Sequence, residues 1–134
     1  MGLPSQPKER GELAEALFVA KAMSLGFTVL QAFGQSRPFD CVVEYQGKLS
    51  RVQVKSSWRL GQNKLYHFPA GRWRKTFAPY KTAHVDFMAA YVAPKDAWYI
   101  IPLKVLVPRT HFAICDHAHK SKFRQYQEAW HLLT

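Results

Sequence analysis

The stretch that most limits how this chain can fold is residues 36–58, SRPFDCVVEYQGKLSRVQVKSSW. Two short apolar runs, Phe39 to Tyr45 and Lys48 to Ser56, flank Gln46-Gly47. Such runs around a glycine-bearing pair read as a β-hairpin. Gln-Gly is a weaker turn signal than Asn-Gly, so a longer loop stays open, but symmetric lengthening keeps the register. In that register Tyr45 faces Lys48 and Asp40 faces Gln53. Side chains alternate along a strand, so Gln53 and Lys55 share one face while Val52 and Val54 share the other. An acid, an amide and a lysine then converge at one end of an apolar hairpin, provided no odd-residue bulge intervenes.

The rest of the chain supplies the frame. Residues 1–7, with Pro4 and Pro7, read as a loose arm ahead of one domain spanning 1–134. Lys8 to Leu25 is helical, with Leu13, Ala16, Leu17, Ala20 and Met23 as its apolar stripe and Gly26 as its stop. Phe27 to Ala32 reads as a strand and Gly34 to Pro38 as a loop. Leu60 to Lys81 lacks a clear period and reads as extended binding loops, with a short strand near Tyr66. His84 to Val92 and Ala97 to Ile101 form a second hairpin, His111 to Cys115 a strand, and Lys120 to Leu133 a C-terminal helix. That helix carries Phe123, Tyr126, Trp130 and Leu133 on one side. This order predicts an α/β (α+β) fold, a mixed β-sheet flanked by helices.

Charge narrows the function. The 134 residues carry a net charge of +10, and no acid occurs from Tyr45 to Val85. That segment interleaves Arg59, Lys64, Arg72, Arg74 and Lys75 with Trp58, Tyr66, Phe68, Trp73 and Tyr80. Bases mixed with aromatics suit phosphates and exposed bases, and point to nucleic acid. Apolar runs are too short to span a bilayer, and the N-terminus has no secretory h-region. Cys41 and Cys115 make no disulfide framework, which fits a reducing cytoplasm. Cys115, His117 and His119 stand at two-residue steps without an evident fourth ligand, so CDHAH reads as an ordinary polar loop. No zinc C-x-x-C spacing or G-x-x-x-x-G-K-[ST] phosphate loop occurs.

Three segments, RGELAEALFVAKAMSLGFTV, SRPFDCVV and RVQVKSS, resemble the nuclease core of the PD-(D/E)XK superfamily, a restriction-endonuclease-like core. The likeness covers about residues 8–57, and VDFMAAYV and WYIIPL extend it to about residue 107. It is nearest to the group I intron-encoded homing endonucleases of that type. Holliday-junction resolvases are more distant, through the G-x-x-A-E helix. The family's Pro-Asp falls on Phe39-Asp40, with Pro38 one place upstream. The acid-x-lysine element falls on Gln53-Val54-Lys55, and the helix glutamate on Glu15. An acid is usual at the position of Gln53, but the intron-encoded subgroup has Gln-x-Lys there.

The resemblance implies a metal-dependent endonuclease acting on double-stranded DNA, with Glu15, Asp40, Gln53 and Lys55 as catalytic residues. Phosphodiester hydrolysis needs an activated water and neutralisation of charge on the phosphoryl oxygens. Hard Mg²⁺, with Mn²⁺ able to substitute, prefers oxygen ligands and keeps several waters. Asp40, Gln53 and Glu15 are the candidate ligands, although Gln53 brings no charge. Lys55 would orient the water or stabilise the charged transition state. Glu12, one turn from Glu15, competes for its role. Ser36, Arg37, Ser56, Arg59, Lys64, Arg72, Arg74 and Lys75 are candidate DNA contacts. A chain this small has little surface for a long site, so a homodimer or homotetramer is expected, with Trp98, Tyr126 and Trp130 as candidate contacts or core residues. Two alternatives remain at this stage. One is a structure-selective, junction-cutting nuclease. The other is a DNA-binding module in which Gln53 marks lost catalysis.

Overall fold

In the computed structural model, which describes residues 2–34 and 36–134, the hairpin closes with a two-residue turn. Gln35, inside the loop expected at Gly34 to Pro38, and Met1, at the head of the arm, lie outside the described residues. Strands β1 (Thr28–Gln31), β2 (Cys41–Tyr45) and β3 (Lys48–Ser57) follow helix α1 (Pro7–Ser24). Gln46 and Gly47 both take positive φ, 48° and 86°, as a type I′ turn requires. A Glu44 side-chain oxygen accepts the Gly47 N–H at 2.7 Å and helps hold a turn that Gln46 alone favours weakly. Pairing runs from Tyr45 opposite Lys48 to Cys41 opposite Val52, as the sequence predicts.

The ladder then opens one residue early. The Asp40 N–H bonds to the Val52 carbonyl at 2.9 Å, and its carboxylate accepts the Val54 N–H at 2.8 Å. Asp40 therefore does not stand opposite Gln53. Its side chain takes the place of the next backbone acceptor, and the chain leaves β3 at that point.

The remaining strands are β4 (Leu65–Pro69), β5 (Gly71–Trp73), β6 (Phe77–Pro79), β7 (Phe87–Val92), β8 (Ala97–Pro102) and β9 (His111–Cys115), with a one-turn helix α2 (Leu103–Leu106). The main sheet has the order β1-β2-β3-β7-β8 and is antiparallel except for the β3–β7 pair. Alternation divides its side chains between two cores. Val43, Val52, Val54, Ala89, Tyr91, Trp98 and Ile100 pack under α1. Met88, Ala90, Val92, Tyr99 and Ile101 pack on the other face under the two-stranded β4–β9 ribbon. The segment expected as loops is thus half strand, because β5 and β6 pair with each other and β4 finds a partner 50 residues away in β9, with Leu65 opposite Cys115.

Two further expectations are corrected. On α1 the buried positions are Ala14, Phe18 and Ala22, with Leu17 half-buried, whereas Met23 is 62 % exposed and Ala16 and Ala20 face solvent. Apolar residues ring this helix, so period alone misplaced the stripe. Small alanines bracketing Phe18 let the helix settle close to the sheet, and Phe18 meets Trp98 and Trp130 at 5.4 and 5.5 Å between ring centroids. Gly26 (φ 92°) does end the helix: its N–H bonds Met23 O and the Phe27 N–H bonds Ala22 O, a Schellman closure. The second correction is the C-terminal segment, which forms short 3-10 turns at Ala118–Lys120, Arg124–Tyr126 and Trp130–Leu133. The free edge of β8 accounts for it. Gln127 bridges Tyr99, the Glu128 N–H bonds Trp98 O at 2.7 Å, and the Glu128 carboxylate accepts the N–H groups of Trp98 and of the Trp130 indole. Glu128 (φ 50°) cannot stay helical while doing so. The tail crosses the sheet edge, placing Phe123 and Tyr126 in one core and Trp130 and Leu133 in the other. Trp98 and Trp130 are core residues. No helix among the described residues is long and apolar enough to cross a membrane.

Candidate active site

Beyond Val52, β3 keeps β7 on one side but has no β2 partner on the other, since β2 ends at Cys41 while β3 runs on to Ser57. A cleft of about 610 Å³ lies along this open edge. Glu15, Arg10 and Ala14 of α1 form one wall, Gln53, Lys55 and Ser56 of β3 the base, and His67 and Pro69 of β4 the far wall. Gln53 and Lys55 do share a face, as alternation predicts. Glu15 arrives from the helix on the opposite side of the sheet, and the gap left by β2 lets the two sets meet.

The electrostatics follow from that meeting. Asp40 is half-buried beside Glu15, within hydrogen-bonding reach, and near Lys55. Desolvation and then the Asp40 charge push Glu15 up to about 7. Burial also raises Asp40, against the lowering pull of the Val54 N–H, of Glu15 and of Lys55. Burial lowers Lys55, and the two carboxylates work to keep it charged. Its ammonium stands 5.8 Å from the centroid of the buried Tyr80 ring. Gln53 is 7 % exposed, and among the described residues its side chain has no hydrogen-bond partner. Two carboxylates that repel each other and an amide oxygen without a protein donor form an all-oxygen set. That set fits a hard divalent cation, which would relieve the repulsion. Among the described residues, no group of three or more His, Cys, Asp or Glu side chains gathers, at CDHAH or elsewhere.

The other expected site residues divide by location. Ser56 and Arg59 line the cleft, with the Ser56 hydroxyl accepting the Trp58 indole N–H at 2.9 Å. Ser36 and Arg37 lie in a separate hollow with Phe33, Gly34 and Pro38, where the Arg37 guanidinium donates to Phe33 O at 2.8 Å. Lys64 is exposed in the 3-10 turn Gln62–Lys64. Arg72, Arg74 and Lys75 sit on and beyond β5, beside Trp73, which is 75 % exposed. Glu12 is exposed and does not line the cleft. Two residues escaped sequence reasoning. Arg10 stands four residues before Ala14 and shares its helix face, and no motif marks it; its Nε donates to Pro4 O at 2.8 Å. His67 reaches the cleft through the β4–β9 pairing and stacks on His111, with ring nitrogens 3.1 Å apart. No sequence signal marks it.

The family model described as PD-(D/E)XK endonuclease matches residues 5–133. Seven chains of solved structures match. One is a bacterial homing endonuclease, I-Ssp6803I, with a TM-score of 0.83 and 28% sequence identity, covering 96% of this chain and 93% of that one. No curated protein sequence matches.

Proposed function

The chain belongs to the PD-(D/E)XK endonuclease family and is a DNA endonuclease, and we propose that it hydrolyses duplex DNA with Glu15, Asp40, Gln53 and Lys55 around Mg²⁺. The observation that carries this reading is the fork at Asp40. One carboxylate oxygen is spent on the Val54 N–H, which fixes the group, and the carboxyl lies beside Glu15 and Lys55. Nucleases of this family use divalent metal ions; here Asp40 and Glu15 would hold the ion, with the Gln53 oxygen as a neutral third donor. A bound cation supplies charge neutralisation at the phosphoryl oxygens and a more acidic water.

The chain's own groups do the rest. Lys55, desolvated beside two carboxylates, is placed to hold a water by hydrogen bonding and to stabilise the anionic transition state. Burial lowers its pKa, so it yields a proton more readily than a surface lysine does. Gln53 has a free amide N–H as well as its oxygen and can orient the same water. Tyr80 supplies an aromatic surface under the Lys55 ammonium. Ser56, on the strand that carries Lys55, and Arg59, just beyond its end, line the cleft and would hold the phosphates flanking the cut. Lys64, Arg72, Arg74 and Lys75 would extend the contact outward, and Ser36 and Arg37 would add to it from the loop before Asp40.

We also propose a homodimer or homotetramer acting in the cytoplasm. The face of β1–β3 turned away from α1 exposes Leu30 at 48% and Leu49 at 62%, an apolar area that a second copy would cover. Sedimentation giving a monomer with and without DNA defeats this point. For the nuclease, supercoiled and linear DNA are incubated in Mg²⁺, in Mn²⁺ and in EDTA, with the wild type and Lys55→Ala. Metal-dependent cutting lost in the variant is expected. Tight binding with no cutting in either metal overturns the catalytic reading and leaves a DNA-binding derivative.

A further inference from the structure

Apart from the cleft, the strongest feature is a hollow of about 360 Å³ in which Lys81 and His84, so far without a role, join Arg72 and Arg74, with Pro38 and Tyr80 among its walls. No acid lines it. Among the described residues the ion pairs are Arg51–Asp86 and Lys95–Asp116, and none of these four side chains takes part in an ion pair or a side-chain hydrogen bond. An ordinary solvated surface spreads its cations out. Here a built frame gathers them.

The frame has three parts. β5 and β6 pair with Arg72 opposite Ala78 and Gly71 opposite Pro79. A Cβ on Gly71 would come within 2.4 Å of the Ala78 carbonyl, so only glycine allows this approach. Tyr80, 5% exposed, ties back to Ala70 O through its N–H at 3.2 Å. The Lys81 carbonyl then accepts both the His84 and the Val85 N–H, at 2.9 and 3.0 Å, which fixes the turn between the last two cations. A concave wall of one sign focuses potential on what enters it.

We propose that this hollow is a second phosphate site, which holds a backbone phosphate of the DNA strand while a neighbouring phosphate lies in the cleft. Tyr80 connects the two places, since it lines the hollow and carries the Lys55 ammonium over its ring. The hollow offers donors for an anion, while its other walls, Pro38, Ala78 and Pro79, present no open aromatic face for a base. That favours the DNA backbone over a nucleobase. The proposal rests on the endonuclease reading and fixes where the strand runs.

The test measures binding in EDTA, where no cutting occurs. Duplexes carrying single neutral methylphosphonates are titrated against the wild type, against Lys81→Gln/His84→Gln, and against a control of equal size, Lys104→Gln/Lys122→Gln. The hollow variant is expected to bind about tenfold more weakly, with the slope of log affinity on log salt reduced by about 1. One methylphosphonate position that weakens the wild type should no longer weaken the hollow variant. An unchanged slope and interference pattern overturns the proposal, as does an equal loss in the control. If the double variant melts well below the wild type, Arg74→Gln, at an exposed position, carries the same readout. Failure of the wild type to cut in Mg²⁺ would count against the catalytic reading alone, because the methylphosphonate pattern is read without metal.

Discussion

The two halves of β3 are made of the same backbone and differ in what borders them. From Lys48 to Val52 the strand is paired by β2, and its inner residues Ser50 and Val52 are sealed. From Gln53 to Ser57 it is paired by β7 alone, and polar side chains alternate with apolar ones. The first half needs nothing beyond ladder bonds and burial. The second leaves an edge of peptide groups that must find partners. Asp40 answers the first of these at Val54 and in doing so becomes fixed beside Glu15 and Lys55. The geometry proposed for catalysis is thus a by-product of ending a ladder early.

The largest effects separate the halves by what is lost. Lys55→Ala removes a desolvated charge from the open half, so cutting should fall about 10²–10⁴-fold. Melting should change far less, since no ladder bond is lost and Lys55 is only partly buried. Phe18→Ala strikes the face under α1, where the ring is fully buried against Trp98 and Trp130. It should cost about 3–5 kcal/mol of stability. Denaturation curves beside cutting rates decide the matter. A Lys55→Ala protein that melts early would mean that the open half supports the fold, and the contrast would collapse.

What the sequence told and what it hid follow the same division. Register, turn and the shared face of Gln53 and Lys55 were legible because they are local consequences of alternation along a hairpin. Strand β9 was legible for the same reason. The bulge-like exit at Asp40 was not, because it depends on a side chain replacing a backbone acceptor. The C-terminal helix was misread because the apolar spacing of Phe123, Tyr126, Trp130 and Leu133 is shared by a tail that crosses a sheet edge. The pull on Gln127 and Glu128 comes from β8, which is remote in sequence. Glu15, Asp40, Gln53 and Lys55 could be named through motif likeness. His67 could not, since it reaches the cleft only through the β4–β9 pairing, which sets it opposite Ala113.

A finer test asks whether Asp40 serves the ladder and the chemistry separately. Asp40→Asn keeps an oxygen that can accept the Val54 N–H and loses the charge. Asp40→Ala loses both. Cutting should vanish in each, because a neutral side chain no longer balances a cation. Stability should differ between the two by about 1–3 kcal/mol in favour of asparagine, the penalty for leaving a buried N–H without a partner. Relief of repulsion with Glu15 is common to both variants and cancels in the comparison. Equal melting of the two would show that the Val54 bond contributes nothing.

The smallest effect is a pH slope in the metal-free protein. Glu15 titrates at about 7 in the folded state against 4.5 for an unperturbed glutamate, so the folded form binds the extra proton between those values. A raised acid favours folding while it is protonated. Its contribution to stability therefore falls as pH rises through 4.5 to 7 and is fully lost above about 7. Asp40, also raised, acts in the same direction. Asp86 and Asp116, both held low by their cationic partners, lose their contribution only at more acidic pH. Groups common to both proteins cancel in a difference, so the measurement is the wild type against Glu15→Gln. Between pH 5 and 8 in EDTA, the wild type should lose a few degrees of melting temperature relative to the variant, since glutamine stays neutral throughout. Mg²⁺ should return most of that loss to the wild type and little to the variant, because a cation held by Asp40 and Glu15 takes the proton's place in offsetting their repulsion. Parallel melting profiles for the two proteins would mean that Glu15 is solvated independently of Asp40, and its place among the metal ligands would fall with that.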